Sequence, residues 1–330
     1  MAPDASAPDA RPPVVVAPEW LTPRRATVAG LALLLVVLWL VFPSAFYFRI
    51  ATLVWISALA AVGLNLLMGL AGQVSLGHAG FVGIGAYAVA LGPRHLGLDP
   101  LASLGLGLVL AGLLALAVGR PILRLRGHYL AVATLGLGIL VWLVLTSEVA
   151  ITGGPDGIQV QRLVLFGWRV AGAETWYGIT GVILVLGVLV ALNLEESPTG
   201  RALRALHDSE VAAAVAGIDV ARAKLAVFVV AAVYAALAGG LLALFNRFVT
   251  PQTADFLHSI ELVTMVVIGG MGSCLGAVVG AAVLTILPQA LTVFHDYEHA
   301  VLGLMIILFM IFLRQGIVPG LAALLARRAA

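Results

Sequence analysis

The spacing of charged side chains constrains this chain more than any other feature. Between Arg49 and Arg94 no Asp, Glu, Lys or Arg occurs for 44 residues, and between Glu261 and Asp296 none occurs for 34. Shorter charge-free runs separate Arg25 from Arg49, Asp99 from Arg120, Arg126 from Glu148, Glu174 from Glu195 and Lys224 from Arg247. A helix needs about 20 apolar residues to cross a bilayer core, and a charge left inside that core is costly. Each of the five shorter runs therefore holds one helix. The two long runs are each interrupted by a Gly-rich polar stretch, at 69–80 and 269–276, and each holds two segments. Residues 300–313 add a short apolar run, about 21 Å long at a rise of about 1.5 Å per residue. The expected fold is all-α: a polytopic integral membrane protein with about 8–10 transmembrane helices, ten segments by direct count, some short or broken.

Composition excludes several function classes. The chain is 62% hydrophobic and only 10% charged, outside the range of soluble domains. Its 18 basic and 16 acidic residues leave a net charge of +2, too little for a nucleic-acid field. Cys274 is the sole cysteine, so neither an internal disulfide nor a Cys/His zinc cluster is available. The sole lysine, Lys224, stands in Ala221-Arg222-Ala223-Lys224-Leu225 and not in the Gly-x-x-x-x-Gly-Lys-Ser/Thr loop that cradles nucleotide phosphates. No nucleophile and base form a recognisable catalytic set, and no cofactor or metal is expected.

Cytoplasmic loops carry the excess of Arg and Lys. Ten crossings put both termini in the cytoplasm, with Arg24, Arg25, Arg120, Arg124, Arg126, Arg201, Arg204, Arg222, Lys224, Arg314, Arg327 and Arg328 inside. Arg49, Arg94, Arg162, Arg169 and Arg247 fall outside. Residues 1–25, rich in Pro and Ala, read as a disordered cytoplasmic tail. The apolar stretch from Ala26 exceeds a signal-peptide core and lacks an Ala-x-Ala-like site before Arg49, so it reads as a retained first helix. Residues 26–315 form the membrane domain and 316–330 a cytoplasmic C-terminal tail.

Three segments carry chemical information. The first, Asn65-Leu66-Leu67-Met68-Gly69-Leu70-Ala71-Gly72-Gln73-Val74-Ser75-Leu76-Gly77-His78, puts amide, hydroxyl and imidazole groups inside an uncharged run. Irregular backbone at membrane depth survives only where protein buries it or a watery cavity meets it. The segment is either a cytoplasmic hairpin or a broken helix near a pathway, and Gly72 and Gly77 also suit close helix packing. Asn65, Gln73, Ser75 and His78 are its polar candidates. The second, residues 195–224, is the longest polar connection on the cytoplasmic side. Ser197-Pro198 caps one helix, Asp208 or Ser209 a second, Gly217 stops it, and Asp219 caps the next membrane helix. Two short helices over 198–207 and 210–216 follow, with Leu203, Leu206, Val211, Ala214 and Ile218 on one face that His207 and Glu210 interrupt. The third places Glu261 in an otherwise apolar segment, where it reaches the interface or pairs with Arg247. It continues into Gly269-Gly270-Met271-Gly272-Ser273 and the packing face Gly276 to Gly280. The external stretch Thr152-Gly153-Gly154-Pro155-Asp156-Gly157 stacks turn formers, and the cluster His295 to His299 reads as a solvated turn.

These stretches together resemble the inner-membrane permease subunits of branched-chain amino acid ABC importers, specifically the M-type of the two permeases. The match rests on residues 63–87 with their Ala71-to-His78 core, the Thr152-to-Gly157 loop, residues 197–224 with Gly200-Arg201-Ala202-Leu203-Arg204-Ala205, and residues 259–280. It extends over roughly 30–315. The resemblance implies a second homologous permease, two cytoplasmic ATP-binding subunits that hydrolyse the ATP, and a periplasmic substrate-binding protein. It makes 195–224 the ATPase-coupling segment, with Gly200, Arg201, Leu203, Arg204, Glu210 and Gly217 as its candidates. It places Asn65, Gln73, Ser75, His78 and Glu261 in the core around the pathway, and Leu, Ile and Val as substrates. The alternatives are a proton-coupled secondary transporter using Glu261 and His78, and an ABC permease for urea or short-chain amides.

Overall fold

The computed structural model describes residues 23–125, 127–165, 168–290, 303, 307 and 316–321. It is a helical bundle. In chain order the helices are α1 (Pro23–Val41), α2 (Ala45–Asn65), α3 (His78–Leu91), α4 (Pro100–Ile122), α5 (His128–Ser147), the single turn α6 (Val149–Thr152), α7 (Ala173–Glu196), α8 (Pro198–Asp208), α9 (Glu210–Val215), α10 (Val220–Asn246), α11 (Phe256–Gly269) and α12 (Cys274–Ala290). Six of these are long and apolar enough to cross a membrane. Helices α3, α11 and α12 are shorter, at 14, 14 and 17 residues. Residues 295–299 and nearly all of the expected segment over 300–313 lie outside the described residues. The expected C-terminal tail begins folded, because Gly316 abuts Gly270 and residues 317–321 are helical.

Each long uncharged run holds two helices, as its length requires. The run from Arg49 to Arg94 carries most of α2 and α3, joined by irregular backbone over 72–77. The other carries the end of α11, a tight turn and α12. Between α5 and α7 the chain forms short strands. Strand β1 (Ile158–Gln159) pairs antiparallel with β4 (Phe248–Val249) beyond α10, and β2 (Val164–Leu165) pairs with β3 (Trp168–Arg169). The first ladder ties the 149–172 connection to the far end of α10, and Gly153, Gly154 and Gly157 of that connection all turn with positive φ.

Helix α2 is the centre of the bundle. In the most apolar 18-residue stretch of 45–70, 83% of the residues are buried, against 6% in that of α1. The Ala-rich sequence of α2 allows α7, α10, α11 and α12 to approach it closely. In lipid the apolar faces gain nothing from leaving water, so close van der Waals contact between small residues holds such a bundle together. Helices α3 and α10 show this most clearly. A Cβ on Gly239 would overlap the Val82 carbonyl, and one on Gly85 would overlap the Ala236 carbonyl.

Described members of the two sets of basic residues lie at opposite ends of the bundle. Arg24 meets Glu196, Arg204 meets Glu195, and Arg120 and Arg124 share a cavity with Arg222. At the other end Arg49, Arg162 and Arg247 line one cavity together. Helix α10 separates Arg222 from Arg247 by about 37 Å at about 1.5 Å per residue.

The glycine contacts make a graded prediction. Gly239→Ala must displace the α3 backbone, whereas Gly136→Ala meets nothing within 4 Å. The expected outcome is a much reduced yield of monodisperse protein and a lower melting temperature for Gly239→Ala, and wild-type behaviour for Gly136→Ala, measured by size exclusion and thermal unfolding in detergent.

Candidate functional site

Helix α2 loosens into a π-helical turn over Leu66–Leu70 before the chain breaks. Gly72 then takes φ +65°, a left-handed conformation that a side chain would strain, and the His207 ring of α8 lies against it. The chain does not restart its helix at that end of the bundle. Gly77 packs against Thr134 and Gly80 against Gly138, six and ten residues into α5, so α3 begins about 9–15 Å along it. The Ala71-to-His78 stretch is thus a broken helix that re-enters the bundle and not a surface hairpin.

Backbone groups freed by that break are met by side chains. The Leu76 N–H donates to Thr134 Oγ1 at 3.1 Å, and the Ala79 N–H donates to Ser259 Oγ at 3.0 Å. Ser75 Oγ and His78 Nδ1 lie 2.8 Å apart, and Gln73 Nε2 donates to the Ala71 carbonyl at 2.9 Å. The His78 ring sits edge-on to Phe81 and Phe228. Asn65 Oδ1 accepts from the Gly272 N–H at 2.9 Å, across 207 residues of sequence. Asn65, Gln73, Ser75 and His78 are all buried within this chain. Their bonds hold irregular backbone in place.

The Gly269-to-Ser273 turn is the counterpart of this break. Gly269 and Gly276 fit against each other's backbone, and Gly280 fits against the Met265 carbonyl, so α11 and α12 form a tight antiparallel hairpin. Gly270 and Gly272 have φ of +118° and +80°. Gly272 also abuts Gly69, which brings the turn onto the end of α2.

Helices α8 and α9 lie over the same end. Ser197 caps α8 by accepting from the Gly200 N–H, Ser209 caps α9 by accepting from the Ala212 N–H, and Asp219 caps α10 by accepting from the Arg222 N–H. Gly200 is pressed against the Leu194 and Glu195 carbonyls, and Leu203 and Leu206 are buried beneath α8. Arg201 Nη1 donates to the Glu196 carbonyl at 3.1 Å and Arg204 Nη2 to the Glu195 carbonyl at 2.9 Å. The Glu195 carboxylate lies 3.6 Å from Arg204 and accepts from the buried Cys274 thiol at 3.8 Å. Helices α7, α8 and α12 therefore meet at Glu195.

The strongest tie is the ion pair of Lys224 with Glu210. The Lys224 side chain is 2% exposed and that of Glu210 is 22% exposed. Lys224 belongs to the first turns of α10 and Glu210 opens α9, so the pair locks the short helix to a long membrane helix. It also sets α9's rotation. Val211 and Ala214, expected on one face with Leu203 and Leu206, are exposed, and Ala213 is buried instead. Helical phase is lost at Ser209, whose φ of −162° and ψ of 117° are extended. Val211 and Val215 thus present one apolar ridge, 67% and 86% exposed. Gly217 turns the chain back with φ +84°.

Glu261 occupies the second turn of α11. The expected partner Arg247 is not its neighbour: the carboxylate pairs with His258 Nδ1 at 3.1 Å, one helical turn away. Arg247 instead ends α10 in the left-handed conformation. Glu261 is 62% exposed and shares the outward face of α11 with Leu257 and Ile260. Among the described residues no three His, Cys, Asp or Glu side chains gather as a metal centre requires.

Sequence patterns do not reveal several residues that organise the site. Thr134 and Ser259 occupy ordinary helical positions, and their partners lie 58 and 180 residues away. His207 reads in sequence as an interruption of an apolar face, yet it is the residue that meets Gly72. Lys224 signals itself only as the sole lysine.

The model of the branched-chain amino acid transport system / permease component family matches residues 46–310. The chain belongs to this family. The high-affinity branched-chain amino acid transport system permease protein LivM of Escherichia coli (strain K12) is 35% identical over 311 residues, covering 87% of this chain and 73% of the relative. The permease protein LivH of the same named system in Salmonella typhimurium is 26% identical over 283 residues, covering 79% and 90%. A probable branched-chain amino acid transport permease protein LivM from Methanocaldococcus jannaschii is 24% identical over 251 residues, covering 67% and 70%. No solved structure matches the chain.

The Lys224–Glu210 pair makes an asymmetric prediction for this permease. Glu210→Gln leaves a buried ammonium with its counter-charge removed, which costs about 3 kcal/mol for a pair of this burial. Lys224→Met leaves a carboxylate that reaches water, at about 1 kcal/mol. Melting temperatures are expected to fall in the order wild type, Lys224→Met, Glu210→Gln. The reverse order would show that the pair is not the anchor of α9.

Proposed function

We propose that this chain is a permease subunit of an ABC importer and forms part of the path for Leu, Ile and Val across the bacterial inner membrane. In this reading ATP is hydrolysed elsewhere. Two cytoplasmic ATP-binding subunits serve the complex, one of them seated on α8 and α9, and a second homologous permease completes the path. The orientation follows from the Arg and Lys asymmetry: the α8–α9 end and both termini are cytoplasmic, and the Arg49, Arg162 and Arg247 cavity faces a periplasmic binding protein.

The observation that carries the reading is the double attachment of α8 and α9. Outward they offer the bare Val211 and Val215 ridge, the i and i+4 spacing that docks a short helix in a protein groove. Inward they are bound to α10 through Lys224 and to the broken helix through His207 and Gly72. A push on α9 therefore reaches α10 and the α2–α3 break together. Alternating access follows as rocking of these helices around the path, driven by closure of the ATP-binding subunits.

Glu261 supports a partner on the opposite face of α11. A largely exposed carboxylate and its histidine within an apolar segment do not face acyl chains. We assign the Leu257, Ile260 and Glu261 face to the second permease or to the water-filled path between the two. A proton relay from Glu261 to His78 has less support, since His78 is buried with Ser75 and Glu261 pairs with His258. The relatives' names favour branched-chain amino acids over urea or short amides.

The test is a pull-down of the tagged chain from its native membrane, followed by reconstitution of the complex. Val211→Asp with Val215→Asp is expected to release the ATP-binding subunits, retain the second permease and lower substrate-stimulated ATP turnover at least tenfold. Unchanged recovery of the ATP-binding subunits and unchanged uptake would refute docking at α9. Recovery of a lone chain that transports in ATP-free liposomes would refute the importer reading altogether.

A further inference from the structure

Helix α1 packs on the bundle mainly through α7, and the cleft between them is graded in chemistry along its length. At the α8–α9 end of the bundle, Arg24, Arg25, Val28, Ala29, Leu189 and Glu196 surround a cavity of about 670 Å³ that extends to Ala32. Ala32 also borders a second groove of about 290 Å³, which continues along Leu35, Val36 and Trp39 of α1 against Gly178, Gly181 and Leu186 of α7. The two are consecutive parts of one cleft: cationic at its mouth and apolar beyond.

Small residues cut this groove. The α7 backbone at Gly181 meets Leu35, and at Gly178 it meets the Trp39 ring at 3.2 Å from where a Cβ would stand. The Tyr177 hydroxyl donates to the Leu35 carbonyl at 2.8 Å, which fixes α1 against α7 along the apolar groove. Val36, Val182 and Leu186 at the rim are 56–58% exposed, as residues facing hydrocarbon are.

We propose that this cleft binds one glycerophospholipid with an anionic headgroup, from the leaflet on the α8–α9 side. The depth fits. From Arg24 to Trp39 is about 22 Å of helix, close to half of a bilayer about 40–45 Å thick with its headgroups. A phosphate at the arginines therefore places an acyl chain along Leu35 and Trp39. The charge fits too. Two arginines and one carboxylate leave the mouth at +1. The Arg24–Glu196 contact is loose at 3.8 Å, with side chains 35% and 53% exposed, and worth little in such a setting. Arg25 has no ion-pair partner among the described residues. Guanidinium groups offer several N–H donors in a plane that matches phosphate oxygens, and basic clefts between transmembrane helices at the membrane surface select anionic headgroups. The lipid would complete the packing of α1, the least buried of the six long spans among the described residues.

The proposal does not depend on the transport reading, because its test reads lipid and not uptake. The protein is purified from its native membrane in mild detergent with whatever subunits accompany it, and retained phosphatidylglycerol, phosphatidylethanolamine and phosphatidylcholine are compared by native mass spectrometry. Phosphatidylglycerol is expected to be retained in preference, with occupancy falling about fivefold for each of Arg24→Ala and Arg25→Ala. In nanodiscs, phosphatidylglycerol brominated on its acyl chain is expected to quench Trp39, read as the emission difference between the wild type and Trp39→Phe. Ala32→Phe, which fills the waist of the cleft, should lower that quenching to the level given by brominated phosphatidylcholine, which reports bulk lipid alone, while leaving the protein's assembly unchanged. Equal retention of phosphatidylcholine, or a preference for phosphatidylethanolamine, would overturn the assignment. So would crosslinks from Val36 or Leu186 to another protein chain, because the face would then be a subunit interface.

Discussion

A backbone N–H that leaves a helix inside a bilayer finds no water, and the two irregular turns at 71–78 and 270–273 are built around that fact. The break between α2 and α3 exists because Thr134 and Ser259 accept from the Leu76 and Ala79 N–H groups it exposes, and because Gly72 and Gly77 let the chain turn against its neighbours. The α11–α12 turn exists because Asn65 meets the Gly272 N–H. Left unmatched, such groups cost several kcal/mol each in hydrocarbon. The polar residues that stand out in the sequence are therefore first of all ligands for their own backbone.

This arrangement concentrates irregular structure at one end of the bundle. The end of α2, the Gly272 turn, the Glu195 carboxylate and His207 all meet there, under α8 and α9. Continuous helices transmit displacement as stiff rods, while breaks and glycine turns absorb it. A device that converts movement at a surface into movement at depth needs both. In the proposed permease, α10 supplies the rod through Lys224, and the α2–α3 break supplies the joint through Gly72. The opposite end is tied by β1 with β4 and by the turn after α5 that the Thr152 hydroxyl holds, which suits a fixed docking rim.

The outer surface carries two kinds of exposure that hydropathy alone does not separate. Helix α1 exposes apolar side chains above a cationic mouth, a profile that matches lipid at each depth. Helix α11 exposes a carboxylate among apolar residues, a profile that hydrocarbon does not satisfy. The first face suits lipid and the second suits protein or water, although both segments are apolar on average.

Charge spacing by itself determined the all-α membrane class, the pairing of two segments within each long run and the partition of Arg and Lys between two ends. It did so because the bilayer penalises charge by depth, a rule that operates along the chain. Caps at Ser197, Ser209 and Asp219 were equally legible, since a cap bonds within three residues of itself. Only the tertiary structure decided that Lys224 pairs with Glu210 and Glu261 with His258, that Val211 faces outward, and that Asn65 serves Gly272. Helical phase does not carry across the extended Ser209, and a partner 207 residues distant leaves no periodic trace. Those choices depend on which surfaces meet once the helices are packed, and no local rule records them.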